Sequence, residues 1–214
     1  MSLLFKIISF TIFLYLSSFI TKITQANIVV IAYDNFSSKD LNLDIIDKHI
    51  KILNNKKYYI ITTNNIIGAA LSSITLPDYS VAITITSNRK EIINNIWPSL
   101  AKAALPFTLF IDPHLISHDS NMSWKDIKTL HNNGIEIGIR GTPKNIKNSI
   151  KLYKINLPID PISYQYKLGI WSKEEIQILK ENNIKIAFGD KSGPVSLNMN
   201  IYKLPRFNIS GKFS

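Results

Sequence analysis

Strand-like and helix-like segments alternate along this chain from residue 27 to residue 204. Short runs of apolar and β-branched residues predict buried strands, at 27–33, 58–62, 81–88 (ending in the corner 86–88), 107–112, 135–139, 184–188 and 201–204, and an extended segment near prolines at 158–166. Helical spacing of apolar residues fills the intervals, and Ser123 and Ser172 each stand where an N-cap residue begins a helix. We find no internal repeat and no linker, so the pattern predicts one parallel α/β domain, an open sheet or a barrel.

Composition excludes several classes of site. The 214 residues carry a formal net charge of +10, but the lysines are scattered and form no dense basic run with interleaved aromatics. We therefore expect no nucleic-acid partner, since a nucleic-acid surface clusters its charge. The chain has no cysteine, which excludes disulfides, thiolate metal ligands and cysteine nucleophiles.

The first 26 residues have the pattern of an export signal. Lys6 precedes an apolar stretch over 7–20, and Thr24-Gln25-Ala26 offers small residues for cleavage after Ala26. The apolar stretch is short for a spanning helix, although an uncleaved membrane anchor is the alternative. We expect residues 1–26 to be a signal peptide or anchor, and residues 27–214 to form an exported domain in the periplasm or cell envelope.

The central predicted strand runs into a corner that lacks reactive groups. Val81 to Ile85 is apolar apart from Thr84, and Thr86-Ser87-Asn88 follows it. Loops after parallel strands commonly hold the chemistry of an α/β protein, yet this corner offers no acid, base or metal ligand. Asn88 with Glu91 three residues later predicts a helix cap instead.

Seven segments of the chain form a pattern of their own. They are Val81-Ala82-Ile83-Thr84, Trp97-Pro98-Ser99-Leu100 through Phe110, Met122-Ser123-Trp124, Gly134-Ile135-Glu136-Ile137-Gly138, Ser163-Tyr164-Gln165-Tyr166, Ala187-Phe188-Gly189 with Ser192-Gly193-Pro194, and Leu204-Pro205-Arg206-Phe207. In order and spacing the chain from 28 to 209 resembles the polysaccharide deacetylases, a class of carbohydrate esterases. The resemblance implies an irregular parallel β/α barrel, a divalent metal, usually zinc, and removal of N-acetyl groups from extracellular glycans. It also leaves open that C-terminal elements of the family are missing, since the chain ends at Ser214.

The motifs that perform this reaction are substituted. The resemblance places the family's base and metal-binding aspartates at Thr86 and Ser87, and its two metal-binding histidines at Arg140 and Lys144. An arginine stays protonated and cannot coordinate zinc, and a lysine would first have to lose its proton. Without a metal there is no activated water and no Lewis acid on the acetyl carbonyl. We therefore expect no cofactor, and no catalytic residues at Thr86 and Ser87.

Other residues offer alternatives to the lost metal site. Arg140 and Lys144 could hold a carboxylate or phosphate of a glycan, and Tyr164, Tyr166 and Trp171 could stack on sugar rings. Arg206 is either a groove residue or a satisfied structural cation. These residues are the candidate substrate-binding set.

Histidines are the remaining metal candidates. His114 and His118 are four residues apart in Asp112-Pro113-His114-Leu115-Ile116-Ser117-His118-Asp119, which would place them on one face if the segment were helical. Pro113 and the polar residues that follow favour a loop instead, so this is a weak candidate pair. His49 falls within a helical apolar pattern, and we interpret it as a residue that packs near the core.

Three functions remain open from the sequence. The first is an exported deacetylase-like protein of carbohydrate metabolism without metal-dependent activity, with cell-envelope polysaccharide as its partner. The second is a hydrolase that removes N-acetyl groups through an altered site, with Asp34 as a possible base. The third is a non-enzymatic scaffold of the cell envelope that is unrelated to sugars. Contact with a membrane is expected only through the N-terminal segment, if that segment is not cleaved.

Overall fold

The computed structural model of the protein describes residues 28–34, 43–54, 57–71, 73–142 and 144–209. The predicted signal or anchor over residues 1–26 lies outside the described residues. Within the described ranges, no helix combines the length and the apolarity that crossing a membrane requires.

Strands and helices alternate as the sequence predicts. The strands are β1 (Val29–Asp34), β2 (Tyr59–Ile61), β3 (Ser80–Thr86), β4 (Thr108–Ile111), β5 (Glu136–Gly141), β6 (Ser163–Tyr166), β7 (Ile186–Phe188) and β8 (Phe207–Asn208). The α-helices are α1 (Leu43–Leu53), α2 (Thr63–Ala70), α3 (Trp97–Lys102), α4 (Trp124–Asn132), α5 (Ile146–Asn156) and α6 (Lys173–Glu181), with a π-helical turn at Ile92–Ile96 before α3. The predicted N-caps Ser123 and Ser172 are confirmed, because each side chain accepts a backbone N–H of its helix.

The strands of the described residues form one parallel sheet in the order β7-β6-β5-β4-β3-β1-β8, with β2 beside the start of β3. β3 is the central strand and is buried along its whole length. It pairs with β1 on one side and with β2 and then β4 on the other. The two ends of this curled sheet approach each other where Leu204 bridges Phe188 of β7, just before the chain enters β8. The α/β class and the parallel barrel are therefore confirmed.

Two local predictions are wrong. The segment 201–204 does not form a strand: residues 201–203 turn, because the N–H of Tyr202 bonds back to the Asn200 side chain and that of Lys203 to the Asn200 carbonyl, and only Leu204 pairs with β7, through a single bridge. Asn88 does not cap a helix: its side chain bonds the backbone of Asp112 in both directions, at 2.9 and 3.1 Å. The chain after Asn88 pairs with residues 120–122, so the helix begins only at Glu91.

Two layers of side chains surround the sheet. The outer face packs on the helices, through residues such as Ile83, Ile85, Leu109 and Ile139. The inner face fills the barrel with a second cluster that includes Val30, Ala82, Phe110 and Phe188. Successive side chains of a strand point to opposite faces, so every second residue faces the barrel interior and the residues between them face the helices.

Candidate functional site

The carboxyl ends of the parallel strands meet at one edge of the barrel, which we call the mouth. Asp34 ends β1, Thr86 ends β3, and Asp112 follows β4. Arg140 lies near the end of β5, Gln165 lies near the end of the adjacent β6, and Asp190 follows β7. In proteins with a β/α barrel, this edge is where binding and catalysis are located. The register aligns Asp34 with Thr86 and Arg140 with Gln165.

One side of the mouth contains a closed ionic network around Arg206. The guanidinium is fully buried and donates to Asp34 Oδ2 at 2.8 Å and to Asp190 Oδ1 at 2.9 Å. It also donates to the Gly189 carbonyl and to the Thr84 hydroxyl, at 3.2 and 3.3 Å. Arg206 therefore has its partners within the chain, which supports the interpretation as a structural cation over that of a groove residue.

The other side of the mouth contains polar atoms without partners. Arg140 is half-buried, its Nε is inaccessible to solvent, and no hydrogen bond or ion pair connects its guanidinium to any described residue. The Thr86 hydroxyl and Gln165 Oε1 are likewise buried without a partner among the described residues. Buried polar atoms are usually hydrogen-bonded, so these three atoms make this edge of the barrel the candidate binding site.

The barrel interior beneath Arg140 is filled by aromatic rings. Phe110 lies beside Gly138 in the register, and its ring is 5.9 Å from that of Phe188 in an edge-on arrangement. A Cβ at Gly138 would lie 2.5 Å from both the Phe110 ring and the Ser163 hydroxyl, so only glycine fits there. The packed rings support the mouth from below and place Arg140 at its open end.

Zinc does not fit the residues at the family's metal positions. The donors there would be the hydroxyls of Thr86 and Ser87, a guanidinium and an ammonium, whereas zinc sites use imidazole, thiolate or carboxylate. Ser87 Oγ already accepts the N–H of Arg89 at 3.1 Å. Among the described residues, no group of three or more His, Cys, Asp or Glu side chains is arranged to hold a metal ion.

Lys144 and Arg140 differ in burial. Lys144 is exposed in the turn before α5, and no ion pair or hydrogen bond links it to a described residue. Arg140 is half-buried near the end of β5. Arg140 is therefore the better-placed of the two predicted cations.

Tyr164 and Tyr166 face away from the mouth. Both are fully buried on the outer face of β6, with ring centroids 5.3 Å apart. Tyr164 donates to Glu175 Oε1 at 3.0 Å and Tyr166 to the Tyr202 carbonyl at 2.9 Å. Neither ring is accessible to a sugar, so this placement does not support the expectation that they are stacking surfaces.

Glu175 is a buried carboxyl that the sequence identified only as part of a helix start. It lies in the first turn of α6, and its Oε2 has no partner among the described residues. Burial raises the pKa of Glu175, and the hydrogen bond from Tyr164 opposes that change in part. Burial likewise raises the pKa of the Tyr164 phenol above its usual range. The pair lies between sheet and helix, where it stabilises packing and does not reach the mouth.

The histidine pair is not assembled as a metal site. His114 lies in a 3₁₀ turn at Pro113–Leu115, and its backbone N–H donates to Asp112 Oδ1 at 3.1 Å. His118 is exposed, and Ser117 on one side of it has a left-handed backbone, with φ of 66°. The two imidazoles therefore share no helix face, and the loop interpretation is confirmed. His49 packs as expected, with its Nδ1 2.8 Å from the Tyr33 hydroxyl, and burial lowers its pKa.

Comparison with known proteins places the fold. No protein-family model matches the sequence, and a comparison with curated proteins finds no match. Solved structures do match over most of the chain. The deacetylase PplD of Streptococcus pyogenes, solved with acetate, has a TM-score of 0.76 at 17% identity, over 89% of this chain and 94% of that one.

Two further structures agree with this match. A de-N-acetylase from Aggregatibacter actinomycetemcomitans has a TM-score of 0.78 at 12% identity, over 88% of this chain and 97% of that one. A polysaccharide deacetylase from Bacillus cereus has a TM-score of 0.73 at 14% identity, over 89% and 67% respectively. These likenesses confirm the barrel type that the sequence predicts, and the chain has the fold of the polysaccharide deacetylases.

Proposed function

We infer that this protein is an exported, non-hydrolytic member of the deacetylase fold that binds acidic glycan of the cell envelope at its mouth. Arg140 is the observation that supports this function best. Its guanidinium is at the end of a strand at the functional edge of the barrel, and the described residues supply it with no partner. An arginine left unpaired at a binding edge suits a ligand that brings its own negative charge.

The chemistry of Arg140 selects the ligand class. A guanidinium presents N–H donors in a planar fork that matches the two oxygens of a carboxylate. The Thr86 hydroxyl and Gln165 Oε1 lie at the same edge but are buried, so the guanidinium is the group that a ligand would contact. A guanidinium without a partner suits a uronic acid or another carboxylated sugar better than neutral N-acetylglucosamine.

The loss of hydrolysis follows from the same positions. The donors at Thr86, Ser87, Arg140 and Lys144 do not suit zinc, and the hydroxyls of Thr86 and Ser87 cannot act as the general base. Asp34 is the acid that the register places beside Thr86, but both of its oxygens accept hydrogen bonds from Arg206, at 3.4 and 2.8 Å. The contacts therefore favour binding over an altered hydrolase.

Calorimetry with two oligosaccharides tests the binding. Oligogalacturonate supplies carboxylates and chitin oligomers supply neutral N-acetylated sugars. We expect oligogalacturonate to bind more tightly, and Arg140→Met to weaken it by roughly 10- to 100-fold, the worth of a hydrogen bond to a charged group. Arg89→Met removes the same charge from a surface pair with Glu91 and should leave binding unchanged. Equal binding of both sugars, or equal loss in both variants, would overturn the proposal.

Acetate release tests the absence of hydrolysis. The purified protein is incubated with chitin oligomers, with and without added zinc, and its metal content is measured by mass spectrometry. We expect no release and no stoichiometric metal. Release that disappears in Arg140→Met would establish an altered active site instead, and stoichiometric zinc would direct attention to His114.

A further inference from the structure

The loop between β6 and α6 exposes an apolar surface at the mouth edge. Leu168 is 75% exposed, Ile170 72% and Trp171 40%. These three residues, which we call the apolar loop, lie within four positions of one another and immediately after the carboxyl end of β6. Single exposed apolar residues are ordinary, but a contiguous set on one loop marks a contact surface.

The backbone holds this loop in a fixed shape. Leu168 has a left-handed conformation with φ of 63°, which is uncommon for a residue other than glycine. Gly169 follows at φ 65°, and a Cβ there would lie 2.5 Å from the Cβ of Asp190, so the loop packs closely on that residue. Asp190 is in turn ion-paired with buried Arg206. The contacts that turn Leu168 outward therefore join the loop to the rigid part of the mouth.

Exposed lysines flank the apolar loop in sequence, and one contacts it from another part of the chain. Lys167 precedes it and Lys173 follows it, and both are exposed. Lys203 lies with its Nζ 3.8 Å from the Trp171 ring centroid, a cation–π contact from another part of the chain. Exposed Lys191 directly follows Asp190, against which Gly169 packs. An exposed indole with aliphatic neighbours, one lysine over its face and further exposed lysines adjacent in the chain, has the composition of a surface that inserts shallowly into an anionic bilayer.

We propose that the apolar loop docks the protein on a membrane surface that contains anionic lipid, with Leu168, Ile170 and Trp171 at the acyl boundary and the lysines among the headgroups. A second copy of the chain fits the loop less well. A standard protein interface buries about 800 Å² per partner, and three side chains of at most about 150–250 Å² each fall short of that area. Stacking on sugar fits less well too, because Leu168 and Ile170 offer no aromatic face.

Fluorescence quenching by brominated lipid tests the docking on the full chain. The probe is vesicles of phosphatidylcholine with phosphatidylglycerol, brominated near the top of the acyl chains. We expect these vesicles to quench the wild-type protein and the quenching to be lost in Trp171→Phe, because Trp97 and Trp124 are partly buried elsewhere in the fold. The apolar stretch over residues 7–20 has no tryptophan and cannot produce this signal even if it binds lipid itself.

A matched pair of variants then assigns the contact. Ile170→Ser should weaken the vesicle interaction by about tenfold, as expected for losing one buried aliphatic side chain, and Lys203→Gln by about fivefold. Ile155→Ser changes a residue of similar exposure, 68%, on α5 and should leave the interaction unchanged. Vesicles of phosphatidylcholine alone should quench weakly.

Three outcomes would overturn the docking. These are quenching that persists in Trp171→Phe, equal effects of Ile155→Ser and Ile170→Ser, and a dimer in sedimentation that Ile170→Ser dissociates while no vesicle quenching is seen. None of these readouts depends on Arg140, so the glycan proposal and the membrane proposal can fail separately.

Discussion

Two arginines lie at the mouth of the same barrel, and their surroundings are opposite. Arg206 is fully buried and bonds two carboxylates, a carbonyl and a hydroxyl of its own chain. Arg140 is half-buried, and no described residue bonds its guanidinium. An internal cation whose partners belong to the chain stabilises the fold, whereas one without partners has a charge to offer a ligand. Arg206 is therefore a structural cation, and Arg140 is the candidate for binding a ligand at the same edge of the sheet.

The largest predicted effect is the loss of the Arg206 network. Arg206→Met leaves the carboxylates of Asp34 and Asp190 at the mouth without their counter-ion. Removing one partner of a buried ion pair typically costs about 3–5 kcal/mol. We expect the free energy of unfolding in urea to fall by that amount.

Arg89→Met is the control for this measurement, because it removes an arginine from a solvent-exposed pair with Glu91, and exposed pairs contribute little to stability. A loss below about 1 kcal/mol in Arg206→Met would show that the buried network does not hold the strand ends together. The contrast with Arg140 would then lose its basis.

A smaller effect is expected on the outer face of the sheet, where Glu175 is a buried anion with one oxygen unpaired. Its pKa is raised by burial, so the folded state retains the proton to higher pH than the unfolded chain. The contribution to stability is then fully present below the unfolded pKa and is lost as pH rises through the folded pKa. We expect Glu175→Gln to increase the free energy of unfolding at pH 7 by up to about 1 kcal/mol, and to match the wild type near pH 4.

The control for this pH dependence is Glu174→Gln. Glu174 lies in the same first turn of α6 but is exposed, so this variant removes the same charge from the helix N-terminus without relieving burial. It should be neutral or slightly destabilising at pH 7. Destabilisation of Glu175→Gln at pH 7 but not at pH 4 would contradict the raised pKa.

The α/β class was predictable because strand and helix periodicities were clear, and the barrel type was predictable from the resemblance to the polysaccharide deacetylases, which also places that family's aspartates at Thr86 and Ser87. The partners of Arg206 were not predictable, since Asp34 lies 172 residues away in the sequence. Nor was the orientation of Tyr164. All four residues of β6 are buried, so the sequence pattern does not show which of them face the barrel interior and which face the helices. Only the register, which pairs Gln165 with Arg140, shows that Gln165 faces inward.

The smallest predicted effect concerns the stability of Arg140→Met. Methionine retains the apolar stem of the side chain, and the change removes a buried Nε that has no partner in the described chain. We therefore expect the free energy of unfolding to stay within about 0.5 kcal/mol of the wild type. Because Arg140 and Arg206 share no partner, the double variant should be additive within about 0.5 kcal/mol. A loss above about 2 kcal/mol would mean that Arg140 is paired within the folded chain in solution. Its guanidinium would then be as occupied as that of Arg206, and the mouth would have no free cation to offer a glycan.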